Sequence, residues 1–301
     1  MPRDRRVLPS WSAPLAVALI WGVNVPVMKG ALAGIGPFAF NALRLTLSAL
    51  ALGVVDRLEA RTRPPAHAPE RTPWGSVLGL ALLTSFVYQL LFVTGIARTS
   101  ASHAGFLIAS GPLWTALLAR ALGVERPAPR AWLGLALAFL GTSLVAAAVG
   151  GNRAATLSGN GLVLLAMLAW AVGTVWSRGV LERFSATRLA FLSTLVALPA
   201  HWLVGWHELA PVWSGGLAAG TWLAIAYSGV FSTGVAYSLW NRSVRALGPS
   251  RTSAYTNLVP LCSLAIAWGF LGERPSLAQL TGGALILLGL ASWRASRAAS
   301  A

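Results

Sequence analysis

Two stretches decide how this chain is read: Trp21–Leu32, WGVNVPVMKGAL, and Trp170–Leu181, WAVGTVWSRGVL. Set 149 residues apart, they share the opening Trp, a cation followed by glycine (Lys29-Gly30 and Arg178-Gly179) and the closing Leu. Further pairs continue the register. Glu125-Arg126-Pro127 recurs as Glu273-Arg274-Pro275 at an offset of 148. At that same offset Ser102 matches Ser250, Pro112 matches Pro260, Gly134 matches Gly282 and Gly141 matches Gly289. Ordered matches at one spacing are the signature of an internal repeat. They predict two copies of one unit, residues 11–150 and 157–297, behind a basic tail, residues 1–10.

The unit is apolar. Of 301 residues 56% are hydrophobic and 10% charged, with a mean hydropathy of +0.67. A soluble domain carries about 25% charged residues, so this composition excludes a water-soluble enzyme, a disordered chain and a fibre. A helix needs roughly 20 apolar residues to cross a bilayer. Ten stretches qualify: 11–32, 37–56, 74–96, 101–122, 130–149, 158–180, 186–206, 217–240, 250–271 and 277–295. The proline-rich segment between Arg57 and Pro73 reads as an exposed linker.

The net charge of +15 would suit a nucleic-acid binder, but its distribution points elsewhere. With the first residues placed in the cytoplasm, 18 of the 23 Lys and Arg side chains fall on the cytoplasmic side of the ten spans. Three, Arg98, Arg153 and Arg274, fall outside, and Lys29 and Arg44 lie within spans. That asymmetry is the positive-inside pattern. It predicts both ends of the chain in the cytoplasm, and no nucleic-acid partner.

Each copy holds five spans. Five is odd, so the second copy enters the membrane from the opposite side, an inverted repeat of the kind that builds transporters. The expected fold is therefore an all-α membrane protein of ten transmembrane helices, two inverted five-helix repeats around a central cavity. The pattern resembles the drug/metabolite transporter superfamily in its ten-helix EamA-type branch. The resemblance rests on Trp21, Gly22 and Asn24 of span 1, the Thr99–Ser102 run, Pro112, the Gly272–Pro275 motif and the glycines Gly282, Gly283 and Gly289 of span 10. Within that family the aromatic-rich spans are most similar to YddG-type amino-acid exporters. The resemblance implies a cavity lined by spans 1, 3, 4, 6, 8 and 9, alternating access, and a bacterial inner-membrane location. The copies differ at Asn24, opposite Gly173, so the site is not expected to be symmetric.

Polar side chains inside a bilayer are costly and face protein or a cavity. Four stripes stand out: Ser85, Tyr88 and Gln89 in span 3; Trp170, Thr174 and Ser177 in span 6; Thr233, Tyr237, Trp240 and Asn241 in span 8; Thr252, Tyr255, Thr256 and Asn257 in span 9. From these stripes Tyr88, Gln89, Trp170, Thr174, Tyr237, Trp240, Tyr255 and Asn257, with Trp21, Asn24, Arg44 and His103, form the candidate substrate site, Trp170 foremost, suited to a small amphipathic zwitterion. Each stripe could equally be interhelical hydrogen bonding. Lys29 and Arg44 lie within spans, and either could hold a substrate carboxylate or instead snorkel or pair with helix-end carbonyls; Arg44, the deeper, is the better candidate for the carboxylate. Trp11, Trp74, Trp132, Trp206, Trp213 and Trp293 read as interface anchors. Pro26, Pro112 and Pro260 are candidate hinges.

The acids Asp56, Glu125, Glu182 and Glu273 all sit at span ends, so no intramembrane carboxylate is available to carry protons or meet a cationic drug. This favours facilitated, gradient-driven export over a proton-coupled carrier of drugs, nucleobases or sugars. An intramembrane transferase or a non-transporting scaffold is the rival of another class. With one cysteine, four scattered histidines and no HExxH or phosphate loop, no cofactor or metal is expected. The expected partners are a small-molecule substrate and membrane lipids, and two repeats in one chain are compatible with a monomer.

Overall fold

In the computed structural model the described residues are 11–62, 72–99, 104, 107–148, 157–182, 184–262, 264–265 and 275–295, and among them there is no strand. Among the described residues each of the ten apolar stretches contains helix. The first copy supplies α1 (Ser12–Ala31), α2 (Pro37–Thr62), α3 (Trp74–Leu80, Ala81–Val87 and Tyr88–Arg98 without a break), α4 (Gly111–Ala121) and α5 (Pro129–Ala148). The second copy supplies α6 (Leu157–Leu181), α7 (Ala186–Gly205), α8 (Ala219–Tyr227, Ser228–Val235 and Ala236–Leu247), α9 (Pro249–Ala254 and Tyr255–Leu258) and α10 (Leu277–Ala295). Five helices, α1, α2, α3, α6 and α7, are long and apolar enough by themselves to cross a bilayer. In a bilayer a spanning helix satisfies its own backbone groups, so this is a multi-pass membrane protein. The surface agrees: Leu203 and Leu223 are 78% and 71% exposed, while Arg44, Gln89, Asn257 and His201 are buried.

Helix pairing has the symmetry that the repeat demands. α5 packs on α10, α2 on α7 and α4 on α9, while α1 packs on α8 and α3 on α6. Exchanging each helix with its counterpart five places on maps the first three pairs onto themselves and swaps the last two. A two-fold axis has this effect, and an odd-numbered unit puts that axis in the membrane plane. Below, the near face is the one at which α1 begins and the far face the one at which it ends.

Both copies depart from regular α-helix in corresponding places. The middle of α3 (Ala81–Val87) and the middle of α8 (Ser228–Val235) are π-helical. A wider turn frees a backbone carbonyl for an outside donor. His201 of α7 lies against the Ser85 carbonyl at 2.7 Å, and the Trp21 indole of α1 donates to the Ser232 carbonyl at 3.0 Å. The prolines behave differently from one another. α1 continues through Pro26, Pro112 sits in the first turn of α4, and Pro260 follows the 3-10 turn Tyr255–Leu258.

The glycines spaced by seven in α5 and α10 pack the two helices against each other within the bundle. A Cβ on Gly289 would lie 2.5 Å from the Gly134 carbonyl, and one on Gly282 2.5 Å from that of Gly141. The first Glu-Arg-Pro copy caps a helix: the Ser250 amide at the start of α9 donates to the Glu125 carboxylate at 3.0 Å. The chain reverses into that start through Gly248 at φ 87°. Replacing Gly289 by Leu is expected to cost about 1–3 kcal/mol through forced separation of α5 and α10, read as a lower melting temperature in detergent. Gly161→Ala, where a Cβ meets nothing within 4 Å, should leave it unchanged.

Candidate functional site

α1, α2, α3, α6 and α8, with parts of α4 and α9, surround a cavity of about 70 Å³. Its polar wall is Arg44, Gln89, Asn24, Ser232 and Thr233, and its aromatic wall is Trp21, Tyr88, Phe92, Trp170 and Tyr237. The Arg44 guanidinium, 2% exposed, is held from three sides. Its Nε donates to Asn41 Oδ1 one turn back at 2.7 Å, and one Nη donates to Gln89 Oε1 at 2.5 Å. The other Nη reaches the Met28 sulfur at 3.8 Å, and the guanidinium carbon lies 5.4 Å from the centre of the Phe40 ring. Gln89 is fixed in turn. Its amide donates to the Tyr237 hydroxyl at 2.6 Å, and Asn41 donates to its backbone carbonyl at 3.0 Å.

A guanidinium has five N–H donors. Three are placed, which leaves one on each terminal nitrogen. Among the described residues no carboxylate pairs with Arg44. Glu59 bonds Arg242 and Thr187, Glu182 faces Arg178, Glu208 accepts from the Phe38 and Ala39 amides and Glu125 caps α9. Each of these acids sits at a helix end. An ion removed from water without a counter-charge costs several kcal/mol even after relaxation, and neutral amides compensate only in part.

Trp170 is the hub of the aromatic wall. Its ring centre lies 4.8 Å from Tyr88, 5.3 Å from Tyr237, 5.3 Å from Trp240 and 5.6 Å from Trp21. Trp170 and Tyr237 also line a second cavity of about 30 Å³, otherwise walled by Leu80, Thr84, Ser85, Gly173, Thr174, Ser177, Leu189, Ala190, Ser193, Trp240 and Asn241. These two rings therefore form a partition. The second cavity lies towards the near face, where α6 ends and α7 begins.

Of the residues expected from sequence, Trp21, Asn24, Arg44, Tyr88, Gln89, Trp170 and Tyr237 line the larger cavity. Thr174 and Trp240 line only the second one. Tyr255 and Asn257 line neither. Ser253, Thr256 and Val259 take their place, because a 3-10 turn has three residues per turn and stacks every third side chain. His103 lies outside the described residues. Asn41 and Met28, which hold Arg44, went unmarked in the sequence; the only hint was the Asn41–Arg44 spacing of three on one helix. Lys29 donates to the Thr99 carbonyl just beyond the end of α3 at 2.7 Å, one of the readings that its sequence position left open. Trp11, Trp74, Trp206 and Trp213 are exposed near helix ends.

The EamA-like transporter family profile matches residues 12–147 and 157–292. The chain belongs to that family. It is therefore a membrane transporter, built on the two-repeat EamA fold. Among its relatives, a probable terminal-alkyne amino-acid exporter of Streptantibioticus cattleyicolor is 28% identical over 93% of this chain and 91% of its own. A probable amino-acid metabolite efflux pump of Escherichia coli is 27% identical over 92% and 91%. One crystal structure superposes with a TM-score of 0.78 at 22% identity, covering 95% of this chain and 98% of the other, a likeness of fold.

Truncating the shared wall tests the role of the partition. Trp170→Ala should lower transport about tenfold or more, as loss of a central aromatic anchor does. Trp222→Ala, an exposed ring on α8, should leave transport unchanged in the same proteoliposome assay.

Proposed function

We propose that this EamA-family transporter exports small neutral amino acids, aromatic ones among them, across the bacterial inner membrane. The observation that carries the reading is the buried Arg44, with two N–H donors that no described residue accepts and no carboxylate beside it among the described residues. A substrate carboxylate accepts both donors at once, supplies the missing charge, and makes the charge-assisted bonds that are the strongest of their kind. The Asn24, Thr233 and Ser232 side of the cavity offers oxygen acceptors for the ammonium, and the faces of Trp21, Tyr88 and Trp170 take the side chain. The names of the relatives, amino-acid exporter and efflux pump, support the same class. The orientation follows from the arginine ledger, with the near face and both ends of the chain in the cytoplasm.

Transport runs by alternating access around the cavity and is driven by the gradient of the substrate itself. No carboxylate lines either cavity among the described residues, so neither supplies the acidic side chain that proton-coupled carriers use. Pro112, in the first turn of α4, and Pro260, just after the 3-10 turn of α9, serve as hinges together with Pro26.

Counterflow in proteoliposomes tests the substrate class. Phenylalanine and other neutral amino acids should exchange, whereas their carboxamides, decarboxylated amines, sugars and cationic drugs should not. Exchange of amines at the same rate as the amino acids would overturn the carboxylate reading. A pH difference imposed across the membrane should leave the final substrate distribution equal on both sides; accumulation against a gradient would overturn the facilitated mechanism.

A further inference from the structure

Lys29 and Arg178 occupy equivalent positions in the two copies, 149 residues apart. What they bind is equivalent too. Lys29, in the last turn of α1, donates to the carbonyl of Thr99 just beyond the end of α3. Arg178, in the last turn of α6, donates through one Nη to the carbonyl of Val244 at 2.8 Å and to that of Arg245, in the last turn of α8. α6 is the counterpart of α1 and α8 that of α3. Because the second copy is inverted, the first contact ties α1 to α3 at the far face and the second ties α6 to α8 at the near face.

Each tie bonds backbone carbonyls at or just beyond a helix C-terminus and places a cation at the negative end of the helix dipole. Each is reinforced locally. At the far face the Thr99 hydroxyl donates to Asn160 of α6 at 2.5 Å. At the near face Arg245 donates to the carbonyls of Leu181 and Phe184, beside the end of α6. α1, α3, α6 and α8 are also the helices that carry Trp21, Tyr88, Trp170 and Tyr237 around the substrate cavity.

We propose that Lys29 and Arg178 are a matched pair of latches, one for each side of the membrane, whose balance sets which face of the cavity opens. They act through the helices and touch no substrate, so they are positioning residues. Releasing Lys29 frees the ends of α1 and α3 and biases the transporter towards opening at the far face. Releasing Arg178 frees α6 and α8 and biases it towards opening at the near face. The proposal does not depend on which substrate is carried.

The test places a reporter cysteine at Ser232 in a Cys262→Ala background and measures labelling by a membrane-impermeant cationic methanethiosulfonate applied from one side at a time. Lys29→Met is expected to raise far-side labelling and lower near-side labelling, changing their ratio by about tenfold, the scale of one hydrogen bond to a charged group. Arg178→Met is expected to change the ratio in the opposite direction. The double variant should return close to the starting ratio, because the two biases cancel. Lys29→Arg and Arg178→Lys, which keep the cation, should stay near the starting ratio. Shifts in the same direction for the two methionine variants, or no shift in either, would overturn the proposal. A double variant further from the starting ratio than both singles would also overturn it, and general loosening of the bundle would produce that result. Failure of the amino-acid reading would show in the counterflow panel and leave these labelling ratios untouched.

Discussion

A guanidinium buried in an apolar bundle is the constraint around which the centre of this transporter is arranged. Arg44 cannot be left bare at that depth, and three helices contribute to holding it: Asn41 from its own α2, Met28 from α1 and Gln89 from α3. Gln89 passes the restraint on to Tyr237 of α8, and Tyr237 stands against Trp170 of α6. One charge therefore orients a chain of side chains that crosses from the first copy to the second. The same chain forms the walls of the cavity, so the need to satisfy Arg44 and the shape of the binding space are a single problem.

In the proposed alternating-access mechanism, the repeat lets such a centre serve both sides of a membrane. Pairs such as α5 with α10 and α2 with α7 lie across the two-fold axis, and glycine contacts lock the first of them tightly. The pairs that exchange under the axis, α1 with α8 and α3 with α6, surround the cavity. Symmetry supplies two arrangements of similar energy. Departures from symmetry, Asn24 opposite Gly173 and Arg44 itself, make the two sides of the cavity chemically unlike.

Much of the fold was legible in the sequence because it rests on long-range regularities. Ten apolar stretches and the ordered matches between copies depend on composition and spacing, which survive local irregularity. The helix boundaries were less legible: α2 continues to Thr62 and α8 to Leu247, since Arg57, Arg61, Arg242 and Arg245 continue as ordinary helix. The site was legible for Trp21, Tyr88, Gln89, Trp170 and Tyr237, where polar or aromatic residues interrupt an apolar face. It was not legible in α9. There a 3-10 turn ahead of Pro260 changes the period from 3.6 to 3.0, so that of the polar cluster only Thr256 lines the cavity, joined by Ser253, while Tyr255 and Asn257 do not. Nor could spacing show that Asn41 and Gln89 meet at one guanidinium, because that contact joins different helices.

The central claim is that the cavity recognises a carboxylate through Arg44. The most direct measurement is equilibrium binding to the purified transporter, followed by the fluorescence of Trp21, Trp170 and Trp240 around the site. A neutral aliphatic amino acid such as leucine, which does not itself fluoresce, should give a saturable change; leucinamide should give none, and Arg44→Gln should abolish the change. Equal binding of leucine and leucinamide, or full binding by Arg44→Gln, would contradict the account.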